Sequence, residues 1–239
     1  MKKKRPVRKA ILCLAAVLFC AAAALGAFFG IRGYVMYRGA VSEISLAERI
    51  EAVRGDESFV SVSELPDFYV SAVISVEDHR FEAHHGIDPI AIGRAAWADI
   101  KAMSWVEGGS TITQQVAKNL LFTQEKKLER KAAECFAAFA LEAGYSKDEI
   151  FELYVNTAYF GSGYYGVYDA AMGYFHKPPA ELSDYEAALL AGLPNAPSAY
   201  SPDANMDLAA KRVSQVLQSM VTNEILVQEE ADGILNRRQ

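Results

Sequence analysis

The chain has 239 residues, of which 51% are apolar, and this length supports one sizeable hydrophobic core rather than two. Its formal charge is −6, but six cations precede the first apolar run, so the remainder of the chain carries −12. This acidic body argues against nucleic acid as a partner, because binding to a phosphate backbone requires a basic surface. We expect a single main domain.

The chain begins with a basic tail, residues 1–9, and an apolar segment, residues 10–31, without a charge from Ile11 to Ile31. About 20 apolar residues, at a rise of about 1.5 Å each, cross a bilayer core of roughly 30 Å, so the segment predicts a transmembrane anchor. The positive-inside rule leaves the tail in the cytoplasm and sends the chain from residue 32 onward to the other side. A cleaved signal peptide is the alternative, but its apolar core usually has only about 7 to 15 residues.

Residues 32–60 are mixed and polar with no strong hydrophobic period, which predicts a linker or stalk before a domain of residues 61–239. In that domain, apolar positions recur three and four residues apart, as on one helix face, whereas the alternating runs typical of strands are scarce. The predicted helices are residues 68–82, 90–103, 110–121, 126–143, 147–156, 164–175, 183–191 and 205–235. The predicted fold class is mainly α, and the pattern leaves room for one short hairpin that it does not place.

The first stretch that could carry chemistry reads SVEDHRFEAHHG, residues 75–86. On a helix, Glu77 shares a face with Val73, Ile74 and Phe81, whereas Asp78 can turn toward solvent or the rim of a cleft. Burial disfavours the charged form of a carboxyl, so we expect a raised pKa for Glu77, which suits a general acid or base. The alternative is a glutamate at a helix end that simply reaches water.

The histidines of this stretch raise the question of a metal. His79, His84 and His85 lack the spacing of four residues with an intervening glutamate that a helical zinc site of a metalloprotease requires. We therefore expect no zinc site here. His84 is better placed as a structural hydrogen-bonding group near the turn at Gly86, and His85 should be exposed.

A second informative stretch reads EGGSTITQQVAKNL, residues 107–120, and Ser110 in it is the predicted N-cap of a helix. The unpaired backbone N–H groups of a helix start, together with neutral polar side chains, can hold an anion or a polyhydroxyl ligand. The side chains in question are Ser110, Thr111, Thr113, Gln114 and Gln115. An ordinary capped polar helix is the alternative.

A cluster of cations follows within fourteen residues, and only Glu125 and Glu129 offset it between residues 118 and 131. Its members are Lys118, Lys126, Lys127, Arg130 and Lys131. In an otherwise acidic body this cluster predicts a patch for phosphate or diphosphate, although a solvated helix face is the alternative.

Glu134 has Arg130 four residues before it and Lys131 three residues before it, so we expect it to stay ionised. Glu77 would then favour its neutral form and Glu134 its charged form. Two carboxyls with such different environments can take different catalytic roles. This pairing requires that the two helices meet.

Five stretches in this order resemble the peptidoglycan glycosyltransferases, glycosyltransferase family 51. They lie between residues 77 and 202 and read EDHRFEAHHG, GGSTITQQVAKN, RKAAE, KDEIFELYVNTAYFGSGYYGV and EAALLAGLPNAPSAYSP. The resemblance implies a lysozyme-like, mainly α fold with a large lobe and a smaller membrane-facing jaw. It implies an enzyme that polymerises lipid II into glycan strands at the outer face of the bacterial cytoplasmic membrane.

The resemblance also implies roles for individual residues. Glu77 corresponds to the general base that deprotonates the 4-hydroxyl of the acceptor, which attacks the donor and expels undecaprenyl diphosphate with inversion. Glu134 corresponds to a residue near the leaving diphosphate, acting through a divalent cation (Mg²⁺ or Mn²⁺) or through the neighbouring cations. The substrate-binding positions implied in the same way are Asp78, Ser110, Thr111, Gln114, Gln115, Lys118, Arg130, Lys131 and Asn156.

The chain departs from the family pattern at three positions. Lys126 stands where an arginine is usual, Ser162 where the family has asparagine, and His176 where it has glycine. These positions are not assigned to the site, and none of the changes affects Glu77 or Glu134.

Two rival functions remain beside the polymerase. A lysozyme-like lytic transglycosylase would cleave glycan with one glutamate but leaves the cations unexplained, and a catalytically silent, membrane-anchored glycan-binding scaffold would not need both glutamates. We expect a monofunctional enzyme, because no serine has a lysine three residues later, as a transpeptidase nucleophile motif would require. The expected partners are lipid II, the growing strand, the membrane and other cell-wall synthesis proteins.

Overall fold

The structure, a computed structural model, describes residues 4–104, 108–123 and 127–237. Glu107, Glu125 and Lys126, which belong to the polar and cationic stretches, lie outside the described residues, as do the first three residues of the basic tail.

The described residues form twelve α-helices and one two-stranded hairpin. The predicted mainly α class is therefore confirmed. The helices are α1 Lys4–Ala40, α2 Leu46–Arg54, α3 Asp67–Glu77, α4 Pro89–Ala102, α5 Ile112–Leu121, α6 Leu128–Gly144, α7 Lys147–Thr157, α8 Val167–Phe175, α9 Asp184–Gly192, α10 Pro197–Tyr200, α11 Met206–Thr222 and α12 Gln228–Asn236, and the strands are β1 Tyr159–Gly161 and β2 Tyr164–Tyr165.

Three of the predicted helices differ from the structure by more than two residues at an end. The helix predicted over residues 164–175 begins only at Val167, because Tyr164 and Tyr165 form strand β2 of the hairpin. The helix predicted over residues 68–82 ends at Glu77, because Asp78 adopts φ −161° and ψ 71° outside the helical region. The helix predicted over residues 205–235 is two helices, α11 and α12, separated by a turn in which Glu224 has φ 60°.

Helix α1 is longer than the predicted apolar segment and continues through residues 32–40 of the predicted linker or stalk. Its part from Leu12 to Ala40 is long and apolar enough to cross a membrane. Its last turns pack on α6, since a Cβ at Gly33 would lie 2.5 Å from Ala132 Cβ. The rings of Tyr34 and Phe136 stand 5.3 Å apart. Part of the remaining stalk, residues 46–54, is helix α2.

The hydrophobic core forms where α3, α9 and α11 pack against one another and α5 packs against α6 and α7. Its largest fully buried side chains are Tyr69, Tyr154, Phe81, Phe151 and Phe160. Helix α4 lies at the edge of this core. Ala95 is its one buried residue, whereas Trp97 and Ile100 are 70% and 71% exposed. Because α3 and α5 both pack into the core, the C-terminal end of α3, which carries Glu77, lies near α5.

The hairpin that the sequence pattern did not place follows α7. Strands β1 and β2 pair antiparallel, with Tyr159 opposite Tyr165. Its turn needs positive φ at Gly161 and Gly163, at 91° and 90°, and also at Ser162, at 52°. Ser162 is held there by hydrogen bonds to Ser201 and Asp203.

Candidate active site

Glu77 is the last residue of α3, and its side chain is only 8% exposed. Its Oε2 accepts a hydrogen bond from Gln115 Nε2 at 2.8 Å, while Arg212 Nη2 lies 3.8 Å from Oε1. Burial raises the pKa of Glu77, and Gln115, Arg212 and Lys118 oppose this shift in decreasing order. The predicted raised pKa is confirmed, and the alternative of a helix-end glutamate in water is wrong.

Glu77 lines two adjoining cavities, together with Val76, Gly108 and Asn195. The first, of about 320 Å³, is called the cationic pocket. Its other lining residues are Ser110, Gln114, Gln115, Lys118, Arg130, Lys131, Glu134 and Pro194. The second, of about 420 Å³, is called the Arg212 pocket, and its other lining residues are Ser75, Asp78, His79, Arg94, Arg212, Ser219, Thr222 and Asn223.

The cationic pocket brings together the polar and basic stretches of the sequence. The carboxylate of Glu134 is 2% exposed and forms ion pairs with Arg130 and, at 2.9 Å, with Lys131. Lys131 Nζ also donates a hydrogen bond to Ser110 Oγ at 2.6 Å. The first turns of α6 therefore reach across to the segment that precedes α5.

Burial lowers the pKa of Lys118 in the same pocket, and the positive charges of Arg130 and Lys131 lower it further, against the attraction of Glu134 and Glu77. A dianionic group bound here would compensate for the loss of water around this ammonium group. The electrostatics of the pocket thus suit a phosphate or diphosphate ligand.

The start of α5 corrects the predicted cap. The N-cap is Thr111 and not Ser110, because Thr111 Oγ1 accepts from Gln114 N at 3.1 Å and Gln114 Oε1 accepts from Thr111 N at 3.1 Å. Thr111 is 1% exposed and donates to Gly86 O at 2.7 Å. Its side chain holds two segments together, so its contacts do not support the predicted substrate-binding role.

Asp78 lines the Arg212 pocket, as expected for a residue of the cleft, but it does not face solvent. Its side chain is 4% exposed, and Oδ2 accepts from Ile112 N at 2.9 Å and lies 2.9 Å from His84 Nε2. Because α3 has ended, the carboxylate turns inward and joins α3 to α5 instead of facing solvent. The structural role predicted for His84 is confirmed, and His85 is exposed as predicted.

Asn156, also assigned to substrate binding, makes its hydrogen bonds within the fold, and its substrate-binding role stays a prediction. Its Oδ1 accepts from Val60 N at 2.9 Å, and its Nδ2 donates to Val60 O and to Glu152 O, both at 2.8 Å. It lines neither the cationic pocket nor the Arg212 pocket. Its amide attaches the segment before α3 to α7 and so supports the fold.

The described residues do not fit a divalent cation held by the protein alone. In the described ranges, no group of three or more His, Cys, Asp or Glu side chains is arranged to hold a metal. Glu134 is the acidic residue lining the cationic pocket beside Glu77, and both of its oxygens are already in ion pairs. Magnesium and manganese prefer several oxygen ligands, which these residues do not supply.

Arg212 is a residue of the site that the sequence motifs did not single out. It lies on α11, and its Nε donates to Gly192 O at 3.0 Å. The signal was its position four residues before Val216 on the apolar stripe of that helix, which places an arginine where a core residue is expected.

The chain is similar to known proteins in sequence. The family described as Transglycosylase matches residues 44–221. Penicillin-binding protein 1A of Aquifex aeolicus (strain VF5) is 45% identical over 179 residues, covering 75% of this chain and 25% of the relative. Penicillin-binding protein 1F of Bacillus subtilis (strain 168) is 47% identical over 161 residues, covering 67% of this chain and 22% of the relative.

Among solved structures, the crystal structure of penicillin-binding protein 1A from Haemophilus influenzae matches with a TM-score of 0.45 and 22% identity, covering 76% of this chain and 17% of that chain. The chain spans a quarter or less of the length of these relatives. Because the family match runs from the end of α1 almost to the end of α11 and includes every residue of both pockets up to Ser219, the chain belongs to the transglycosylase family.

Proposed function

We propose that the chain is a peptidoglycan glycosyltransferase that polymerises lipid II into β-1,4-linked glycan strands. The observation that carries this proposal is the position of Glu77, a buried carboxyl that lines both the cationic pocket and the Arg212 pocket. A base at this junction can take a proton from a hydroxyl group on one side while a diphosphate leaves on the other. The family match supports a glycosyl transfer.

In the proposed step, the 4-hydroxyl of an acceptor N-acetylglucosamine in the Arg212 pocket attacks the anomeric carbon of the donor. The bond from that carbon to the diphosphate oxygen breaks, and its electron pair leaves with undecaprenyl diphosphate. Glu77 takes the proton of the attacking hydroxyl. Because the new bond forms on the face opposite the leaving group, the α-linked diphosphate becomes a β-linked sugar.

The cations stabilise charge that develops on the leaving diphosphate. Lys118, Arg130 and Lys131 line the cationic pocket before substrate arrives, so little reorganisation is needed as the bond breaks. Glu134 orients two of them, since it pairs with both Arg130 and Lys131. Ser110 holds the Lys131 ammonium from the other side.

Dependence on Mg²⁺ or Mn²⁺ stays a prediction, and the donor set near Glu134 supports a metal only when the substrate's own phosphate oxygens complete it. Calorimetric titration of Mg²⁺ into the chain without lipid II should then show no binding at submillimolar concentration. The same titration with lipid II present should show binding. Tight binding of Mg²⁺ to the chain alone would contradict this view.

We also propose that α1 anchors the chain in the bacterial cytoplasmic membrane with residues 32 onward on the outer side. The apolar length of α1 and the cationic sequence before it support this orientation. Lipid II and the growing strand are the proposed substrates, and other cell-wall synthesis proteins are the proposed partners. A cysteine-accessibility assay on either side of residues 10–31 tests the orientation.

The test of the function is a polymerisation assay with labelled lipid II and detergent-solubilised chain, with and without a divalent cation. We expect glycan polymer from the wild type, at least about 100-fold less from E77Q, and wild-type amounts from E82Q, in which an exposed neighbour is changed.

Each rival function gives a different result in the same assay. Release of fragments from finished glycan, without polymer, would identify a lytic enzyme. Binding of glycan without either product would identify a silent scaffold. Wild-type polymerisation by E77Q would overturn the assignment of Glu77 as the base.

A further inference from the structure

Arg212 has a side chain that is only 12% exposed and is held from several directions. Its Nε donates to Gly192 O at 3.0 Å, and its Nη1 donates to Gln215 Oε1 at 3.2 Å. Its guanidinium carbon lies 5.4 Å from the centroid of the Tyr200 ring. These contacts fix the guanidinium group so that Nη2 faces Glu77 Oε1 at 3.8 Å.

Gly192 provides the space for this arrangement. A Cβ at position 192 would lie 2.7 Å from Arg212 Cγ and 3.2 Å from Val216 Cγ2. Any other residue there would displace the arginine stem, because such short contacts do not occur in packed proteins. The absence of a side chain at Gly192, the last residue of α9, therefore leaves the space that the Arg212 side chain of α11 occupies.

The groups that face Glu77 come from four helices. Gln115 and Lys118 approach from α5, Arg212 from α11, Tyr154 from α7, and Tyr69 and the adjacent Asp78 belong to the glutamate's own segment. The two cations among them, Lys118 and Arg212, favour the ionised form of Glu77. Asp78 and burial oppose it.

The two cations lie in different pockets, and this separates their roles. Lys118 lines the cationic pocket, where a bound diphosphate would offset its charge. Arg212 lines the Arg212 pocket and not the cationic pocket, so its electrostatic attraction for Glu77 would persist when a donor diphosphate is bound. We infer that Arg212 is a positioning residue that fixes the Oε1 edge of Glu77 and keeps this base ionised while a donor diphosphate occupies the cationic pocket.

This inference rests on the proposed function, and it predicts the direction of a pH effect. A base acts only when it is deprotonated, so the rate falls as the pH drops through the pKa of Glu77. Removal of the guanidinium charge takes away a favourable partner of the carboxylate and raises that pKa further. The acid limb of the rate profile should therefore move to higher pH.

The experiment compares wild type with R212Q, R212K and the control K211M, which removes an exposed cation from the adjacent position of α11. The polymerisation rate is measured from pH 5.5 to 9 at saturating lipid II. In parallel, ¹³C NMR on chain labelled at the glutamate carboxyl carbons follows Glu77, whose signal is identified by its loss in E77Q. The NMR titration reports on Glu77 without turnover.

We expect R212Q to shift both the acid limb and the NMR midpoint upward by about one pH unit, with kcat reduced more than KM is changed. R212K should recover part of the shift, because it restores the charge without the planar fork. K211M should match wild type. G192A should shift both midpoints in the same direction as R212Q, by less, because it displaces the guanidinium group and keeps its charge.

An equal loss of rate by R212Q at every pH, with an unchanged NMR midpoint, would overturn the inference and leave Arg212 a structural residue. A shifted NMR midpoint together with wild-type polymerisation by E77Q would instead overturn the proposed base. The two proposals therefore fail by different results.

Discussion

The carboxylate of Asp78 accepts a hydrogen bond from the backbone N–H of Ile112 at 2.9 Å. Through this one contact, the end of the helix that carries Glu77 is joined to the start of the helix that carries Gln115 and Lys118. The His84 ring lies against the same carboxylate oxygen. The geometry of the base therefore depends on the residue that follows it.

For D78A we expect the free energy of unfolding to fall by about 3 kcal/mol, because the Ile112 N–H and the His84 ring lose their partner in a buried place. Polymerisation should fall as well, since Gln115 would no longer be held beside Glu77. Denaturant unfolding in detergent measures the first effect. A loss no larger than that of E82A, at an exposed position nearby, would contradict the joining role of Asp78.

The stability of the chain should depend on the ionisation of Glu77. Burial raises its pKa above the value in the unfolded chain, so the folded state retains this proton to higher pH than the unfolded state does. The stability contributed by the protonated form is present below the unfolded pKa and is lost as the pH rises through the folded pKa. The ionised form of Glu77 is thus maintained at a cost in stability.

The variant E77Q cannot ionise and avoids that loss. We expect it to melt roughly 2 to 4 °C above wild type at pH 8 and near the wild-type temperature at pH 4. Melting curves at the two pH values check this, with E82Q as the control. A difference between E77Q and wild type that is the same at both pH values would contradict the pH linkage.

Removal of the Glu134 carboxylate should disturb the cations more than the fold. In E134Q, Arg130 and Lys131 lose their shared partner, so we expect polymerisation to fall about 100-fold, as when one charge-stabilising group is removed from an active site. The circular dichroism spectrum should remain that of wild type. The exposed E181Q provides the control, and activity of E134Q within twofold of wild type would refute the role.

His176 lies at the C-terminal end of α8 with φ 58°, a conformation that glycine adopts without strain. This conformation gives a physical reason for the glycine that the family resemblance implies at this position. We expect H176G to raise the free energy of unfolding by about 1 kcal/mol. H176A keeps the backbone strain, so a gain of the same size in H176A would show that the imidazole, and not the positive φ, is responsible.

The environment of Glu77 could be predicted from the sequence because it depends on near neighbours. Val73 and Ile74, four and three positions before Glu77, place its carboxyl on the apolar face of α3, which is the face that packs into the core. The pairing of Glu134 with Arg130 and Lys131 could be predicted for the same reason, since it spans four residues of one helix.

The wrong predictions concern contacts between segments that are distant in sequence and side chains whose direction depends on where a helix ends. The predicted helix continues past Glu77 and lets Asp78 face solvent, whereas the observed helix ends at Glu77 and the Asp78 side chain turns inward. Ser110 and Thr111 are both good caps, and the choice follows from the Gly86 carbonyl that Thr111 reaches. Arg212 meets Glu77 only because α11 folds back over α3, which no local pattern reveals.

The contact between α1 and α6 has a consequence for where the chemistry takes place. Helix α1 runs without a break from its apolar part to Ala40 and lies against Ala132 at Gly33, one turn or less from Arg130, Lys131 and Glu134 on α6. The cations that we propose to bind the diphosphate thus lie on a helix that packs directly against the continuation of the apolar helix, without a linker between them. Their height above the apolar segment is set by helix geometry, at about 1.5 Å for each residue of α1 that separates them.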